Sequence, residues 1–204
     1  MTEIPVALEG LPFVGKSSSA RALASDNPQV MIVADYHELI DRTERIRFSS
    51  VAASEREQSE RVSRYERLDQ ERWAVADRHL QQKSVVFDRS YVSIMAYDLA
   101  IRRTFFNHSP DPSGSQLLDP AIRRCRVPSR IVFIEIPLGT AIERHYSLAT
   151  GIDQRLRTPE FLRTLIWAYE QALSGCESLV KRVDGTQPLD SVVTDVRECV
   201  YGKR

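Results

Sequence analysis

Apolar runs of strand length recur along the chain, each followed by a polar turn: Ile4-Pro5-Val6-Ala7-Leu8, Val30-Met31-Ile32-Val33-Ala34, Ser84-Val85-Val86-Phe87, Arg130-Ile131-Val132-Phe133-Ile134-Glu135-Ile136 and a weaker Leu179-Val180-Lys181-Arg182-Val183. Between them the apolar spacing becomes helical. Ser54 to Gln82 contains no Gly or Pro, is rich in Glu, Arg and Gln, and carries Val62, Tyr65, Leu68, Trp73, Ala76 and Leu80 as an apolar stripe. That stretch predicts one long helix or two abutting ones. A short helix is predicted over Thr140 to Tyr146 and a clear one through Phe161, Leu165, Tyr169 and Leu173. Strands alternating with helices predict an α/β fold, a five-stranded parallel sheet flanked by helices. The 204 residues suit one such domain with a full core. Residues 104 to 128 hold four of the ten prolines plus Ser113-Gly114-Ser115, so a mobile connection near the site is expected there.

The first strand leads directly into Gly10-Leu11-Pro12-Phe13-Val14-Gly15-Lys16-Ser17, a complete G-x-x-x-x-G-K-[ST] loop, and Ser18-Ser19-Ala20-Arg21-Ala22-Leu23-Ala24 can continue as a helix. Strand, glycine loop and helix are the context in which these letters bind a nucleoside triphosphate. Glycines let the backbone N–H groups turn inward, and the helix sets its positive dipole end beneath the phosphates. Lys16 then bridges the β- and γ-phosphates, Ser17 ligates Mg²⁺, and Ser18 adds to the cradle. As a loop side chain Lys16 is expected to be exposed. The fold class is a three-layer P-loop NTPase.

Charge narrows the partners. Lys and Arg number 28, as do Asp and Glu, so no global field draws nucleic acid or a membrane, and a small buried anionic ligand fits better than a polymer. Cys125, Cys176 and Cys199 are widely spaced and form no C-x-x-C pair, which speaks against a disulfide framework and a zinc site and for a reducing cytoplasm. His37, His79, His108 and His145 share no metal-ligand spacing. No apolar run approaches the roughly 20 residues that span a bilayer, and the N-terminus lacks a basic region followed by an apolar one.

In open parallel sheets ligands sit at the carboxyl ends of the strands. The second run ends in Asp35 and the third in Asp88-Arg89-Ser90. Asp88 is the candidate metal-side carboxylate and Arg89 the candidate clamp for substrate or phosphate, because a guanidinium fork contacts a phosphate bidentately. The alternative is that Asp88 caps the helix beginning at Tyr91. Asp35 either takes the proton of a substrate hydroxyl, holds a metal-bound water, or caps a helix starting near Tyr36. Arg144, Arg155 and Arg157 surround a Gly-containing segment, Ala149 to Arg157, that reads as a lid over roughly 145–158. Arg155 and Arg157 would compensate the charge of a transferring phosphoryl group, and the alternative is a solvated arginine run.

Several of these residues together resemble a family. Glu9-Gly10, Asp88-Arg89-Ser90 followed by Ala96-Tyr97, Ile134-Glu135-Ile136-Pro137, the lid arginines and the closing Val183-Asp184-Gly185-Thr186-Gln187-Pro188 look like thymidylate kinases and their relatives, the deoxynucleoside kinases. The likeness runs almost end to end. It implies ATP as donor, Mg²⁺, an Arg-bearing lid, commonly a homodimer, and an adenine lying near Thr186, Gln187 and Pro188. The pattern also departs from both groups. Thymidylate kinases usually carry an acidic residue within the loop, where this chain has Pro12-Phe13, and deoxynucleoside kinases typically end the second and third strands in Glu-Pro and Glu-Arg-Ser. The acceptor is therefore open among a nucleoside, a nucleoside monophosphate and another small alcohol such as a metabolite or antibiotic. A non-catalytic nucleotide-binding regulator is the rival class. A GTPase is excluded by the missing N-K-x-D, and an ABC-type ATPase by Leu173-Ser174-Gly175 running into Cys176.

Overall fold

The computed structural model describes residues 4–107, 126–148, 152–174 and 176–201. Most of the loop expected at 104–128, including His108 and Cys125, lies outside them, as do Ala149, Thr150 and Gly151 of the expected lid.

Five parallel strands form one sheet: β1 (Val6–Glu9), β2 (Val30–Val33), β3 (Ser84–Asp88), β4 (Arg130–Glu135) and β5 (Val180–Asp184), in the order β2-β3-β1-β4-β5. The helices are α1 (Lys16–Asp26), α2 (Arg42–Phe48), α3 (Glu55–Asp77), α4 (Tyr91–Phe105), α5 (Leu138–Leu148), α6 (Pro159–Leu173) and α7 (Leu189–Tyr201). Sequence and structure agree on the α/β architecture and the five strands.

β1, β3 and β4 are buried almost throughout, as inner parallel strands must be. Ala7, Val33, Val85 and Phe87 pack under Trp73 and Ala76 of α3. β5 is different: Lys181 and Arg182 are exposed, the charged signature of an edge strand. Those charges are also why its run is weak in the sequence. α3 stops at Asp77, short of Gln82, and 78–82 continue in turns. α5 starts two residues before the helix read from Thr140 and ends two after it.

Caps fix most helix starts. Asp41 accepts from Glu44 N, Ser54 from Glu57 N, Ser90 from Val92 N and Thr158 from Phe161 N, with Pro159 at the first position of α6. α1 is the exception: its N-cap is Gly15, in the left-handed region at φ 100°, with no side-chain cap. Its first N–H groups therefore keep their donors for a ligand. No helix among the described residues is long and apolar enough to cross a membrane.

Candidate active site

Leu8 of β1 pairs with Asp88 of β3, so the phosphate loop and the Asp88-Arg89-Ser90 turn leave the sheet side by side. The loop takes its shape from three left-handed residues, Gly10 at φ 134°, Phe13 at φ 62° and Gly15 at φ 100°. A Cβ on Gly10 would stand 2.4 Å from the Ile134 carbonyl oxygen, so only glycine lets the loop lie on β4. Lys16, expected to be exposed, is instead buried, and its Nζ donates to the carbonyls of Gly10 (2.9 Å) and Leu11 (2.6 Å). Burial and then the nearby Arg89 charge push its ammonium down to about 7. Leu11 and Val14 are core residues, Pro12 borders a cleft, and Phe13 meets the His145 ring edge-on at 5.0 Å.

Ser17 and Asp88 line one surface cavity, with Arg21 and Glu38 at its margin. Asp88 is 3% exposed, and its Oδ1 has no hydrogen-bond partner. It does not cap α4, because Ser90 does. A buried, partnerless carboxylate oxygen in a residue that shares a cavity with a hydroxyl side chain is a donor set that suits Mg²⁺. Among the described residues no three His, Cys, Asp or Glu side chains gather as a metal cluster. That fits a hard cation held mostly by phosphates and water.

Asp35 does two things at once. It caps the short turn Tyr36–Glu38 by accepting from His37 N (3.2 Å), and it binds Arg89 Nε at 2.8 Å. Burial raises its carboxyl, but Arg89 and His37 outweigh that and hold it below the usual range. Arg89 itself sits at φ 66°, a left-handed position unusual for a side chain of this size.

Two groups to which the sequence assigns no role hold that turn. Glu9, fully buried, accepts from Ser90 N (2.6 Å), Ser90 Oγ (2.6 Å) and Ser93 Oγ (2.5 Å). Arg72, 1% exposed, donates from Nη2 to the carbonyls of Asp88 (3.0 Å) and Arg89 (2.7 Å), while its guanidinium stacks 4.0 Å from the Tyr36 ring. Tyr36 in turn donates to Asp69 at 2.5 Å. Arg72 thus stabilises a left-handed Arg89 from below. Replacing it with Met removes two charge-assisted bonds and is expected to cost about 3 kcal/mol, lowering Tm by roughly 6–12 °C in a chain of this size. Thermal unfolding followed by circular dichroism measures it, and a change under about 1 °C would show that the turn holds itself.

Beyond Asp35 and Arg89 opens a cleft walled by α3 (Gln58, Arg61, Tyr65) and α4 (Ser93, Tyr97, Asp98). Gln58 Nε2 donates to Asp98 Oδ1 (2.9 Å), which leaves Gln58 Oε1 buried without a partner. Gln58, Arg61 and Tyr65 stand three and four residues apart, so they share a helix face, a spacing readable in the sequence. Asp153 ties the cleft's two rims: its N–H donates to Ser49 O (2.9 Å) and its Oδ2 accepts from Val51 N (3.0 Å).

The candidate arginines separate. Arg144 donates to Phe13 O (3.2 Å) and Gly185 O (3.0 Å), joining the phosphate loop to the segment after β5. Arg155 is paired with Asp153 at 2.7 Å and largely exposed, and Arg157 donates to the carbonyls of His145 (3.1 Å) and Tyr146 (3.3 Å) at the end of α5. Thr186 is held by Asp184 through its N–H (2.9 Å) and hydroxyl (2.6 Å), Gln187 reaches Asp195 (3.4 Å), and Pro188 precedes α7.

This is the fold of the P-loop nucleoside and nucleotide kinases, with the glycine loop and the cleft beyond Asp35 and Arg89 on the carboxyl edge of the sheet. Similar solved structures include the thymidylate kinase of Candida albicans (TM-score 0.72, 19% identity, 97% of this chain and 90% of that one). The deoxyadenosine kinase of M. mycoides with bound dATP is also similar (TM-score 0.71, 11% identity, 96% and 98%). The same enzyme with dCMP and dCDP matches at TM-score 0.68 and 14% identity, covering 96% and 97%. No protein-family model matches the sequence, and no curated protein matches it significantly.

Proposed function

We propose that the protein is an ATP-dependent kinase, one catalytic domain over 1–204 with a lid near 145–158, that transfers the γ-phosphate to a nucleoside or nucleoside monophosphate. The observation that carries this reading is the side-by-side exit of the phosphate loop and the Asp88-Arg89 turn, with a cleft lined by Asp35 and Arg89 beside them. The fold shared with a thymidylate kinase and a deoxyadenosine kinase supports it.

The loop N–H groups, the uncapped end of α1 and Lys16 hold the triphosphate. Ser17 and Asp88 would hold Mg²⁺, which supplies charge neutralisation at the β- and γ-phosphates when bound. Asp35, ionised, accepts the proton as the acceptor's hydroxyl oxygen attacks the γ-phosphorus and the bond to the ADP oxygen breaks with its electron pair. Arg89 holds Asp35 in place and faces the acceptor. Gln58 Oε1 takes a donor from the acceptor's base edge, which would satisfy a buried oxygen that otherwise has no partner. Arg144 anchors the donor side. Arg155 and Arg157 reach the phosphates only by leaving Asp153 and the end of α5, so their contribution belongs to the closed complex.

Purified protein is incubated with ATP and Mg²⁺, alone and with nucleosides, nucleoside monophosphates and small hydroxylated metabolites, and ADP release is followed. Turnover that appears only with an acceptor is the expected result. Nucleotide binding with no acceptor-stimulated turnover identifies a regulator instead.

A further inference from the structure

The site has one cradle for a polyanion. On the donor side stand the free N–H groups of α1, with no side-chain cap, and the buried Lys16. The acceptor cleft is built differently. Among its described lining residues two are arginines, and each is already matched to a carboxylate. Arg89 lies 2.8 Å from Asp35. Arg61 lies 2.8 Å from Glu57 and spends a further nitrogen on Ser50 O at 2.5 Å. The remaining charge on the wall, Asp98, is negative and is held by Arg102 at 2.9 Å. His37 and His145 also face the cleft, and burial pushes both imidazoles down, so near neutral pH neither adds a charge.

The phosphate loop adds nothing polar where it borders this cleft. Its contribution is Pro12, which has neither an N–H nor a polar side-chain atom. Phe13 is turned onto His145. Nearby, Arg155 is paired with Asp153, while Arg157, which does not line this cleft, donates through Nη2 to two main-chain carbonyls and keeps its Nε buried without a partner.

A monophosphate carries close to two negative charges at neutral pH, and burying it beside Asp35 and Asp98, where each lining arginine already has a carboxylate, is unfavourable. A neutral acceptor meets no such penalty. It finds a carboxylate for its hydroxyl, aromatic walls for a flat ring and the partnerless Gln58 Oε1 for a donor on that ring. We infer that the acceptor is an uncharged nucleoside phosphorylated on a sugar hydroxyl, and not a nucleoside monophosphate. The step balances as a simple transfer: the hydroxyl O–H breaks, a new P–O bond forms, the bond to ADP breaks, and the proton leaves through Asp35. The inference rests on the kinase reading above and divides the two acceptor classes that reading leaves together.

The four common deoxynucleosides and ribonucleosides and their 5′-monophosphates are each offered with ATP and Mg²⁺, and products are separated by mass. At least one nucleoside becomes its monophosphate, and kcat/KM for every monophosphate acceptor is at least about 100-fold lower. Transfer to monophosphates with nucleosides inert overturns this inference while the kinase reading stands. Transfer to no acceptor overturns both. Asp35→Ala gives a second readout, because it leaves Arg89 without its counter-charge. Calorimetry should then find monophosphate binding at least about tenfold tighter than in the wild type and nucleoside binding not tightened. Tight monophosphate binding by the wild type, unchanged in the variant, overturns the charge argument.

Discussion

Lys16→Met is expected to abolish phosphoryl transfer, lowering kcat by on the order of 10³ or more, because on the proposed reading it removes the cation nearest the transferring group. Methionine keeps the buried stem. What the fold loses are the ammonium's bonds to Gly10 O and Leu11 O, a cost of about 1–3 kcal/mol that thermal unfolding measures. The same residue makes nucleotide binding pH-dependent. In the ligand-free protein Lys16 titrates at about 7, against an ordinary 10.5, and a bound triphosphate moves it back up. Binding at pH 8.5 is therefore expected to take up close to one proton. At pH 5.5, where Lys16 is already charged, it takes up almost none on this account. Calorimetry in buffers of different ionisation enthalpy reads the difference, and Lys16→Met should erase it. The sign for folding follows: between about 7 and 10.5 the unfolded chain holds this proton and the folded one does not, so the Lys16 contribution to stability rises with pH across that window. Equal proton uptake in both proteins would remove Lys16 from the nucleotide site.

Asp88→Asn is the second large effect. The variant keeps the side chain's shape and the main-chain carbonyl that Arg72 uses, so the turn stays in place. It removes a charge from a position where one carboxylate oxygen is buried without a partner. We expect kcat to fall by about 10²–10³ and the Mg²⁺ concentration for half-maximal activity to rise. We also expect Tm to change little, since the substitution relieves the burial of a carboxylate while losing its attraction to Lys16 and Arg89. Wild-type Mg²⁺ dependence in Asp88→Asn would make the residue structural.

The parts that local chemistry decides were readable in the chain. Apolar runs marked all five strands, the glycine pattern marked the loop, and polar residues closing the second and third runs marked Asp35, Asp88 and Arg89. The slips were local too: β5 runs from Val180 to Asp184, one residue later than its sequence run, because an edge strand tolerates charge and so has a blurred apolar signature. Tertiary packing decides the rest. The Asp35–Arg89 pair spans 54 residues and Gln58–Asp98 spans 40. The first pair forms only when β2 lies beside β3, and the second only when α3 lies beside α4. Arg72 looked like one more arginine in a charged helix, although the cadence Leu68, Arg72, Trp73, Ala76 puts it on the buried face. Lys16's burial was equally hidden, since a loop lysine is exposed unless its own loop curls over it.

The Asp153 clasp has a mechanical consequence. It joins residues about a hundred positions apart in the chain, stapling the segment before α6 to the linker between α2 and α3. Since Ser49 and Ile152 both line the cleft, the staple ties two sides of its rim together. Opening needs only two hydrogen bonds to break, each worth about 1 kcal/mol net. The clasp therefore takes about 2 kcal/mol to release, small beside the roughly 5–15 kcal/mol that holds a domain folded.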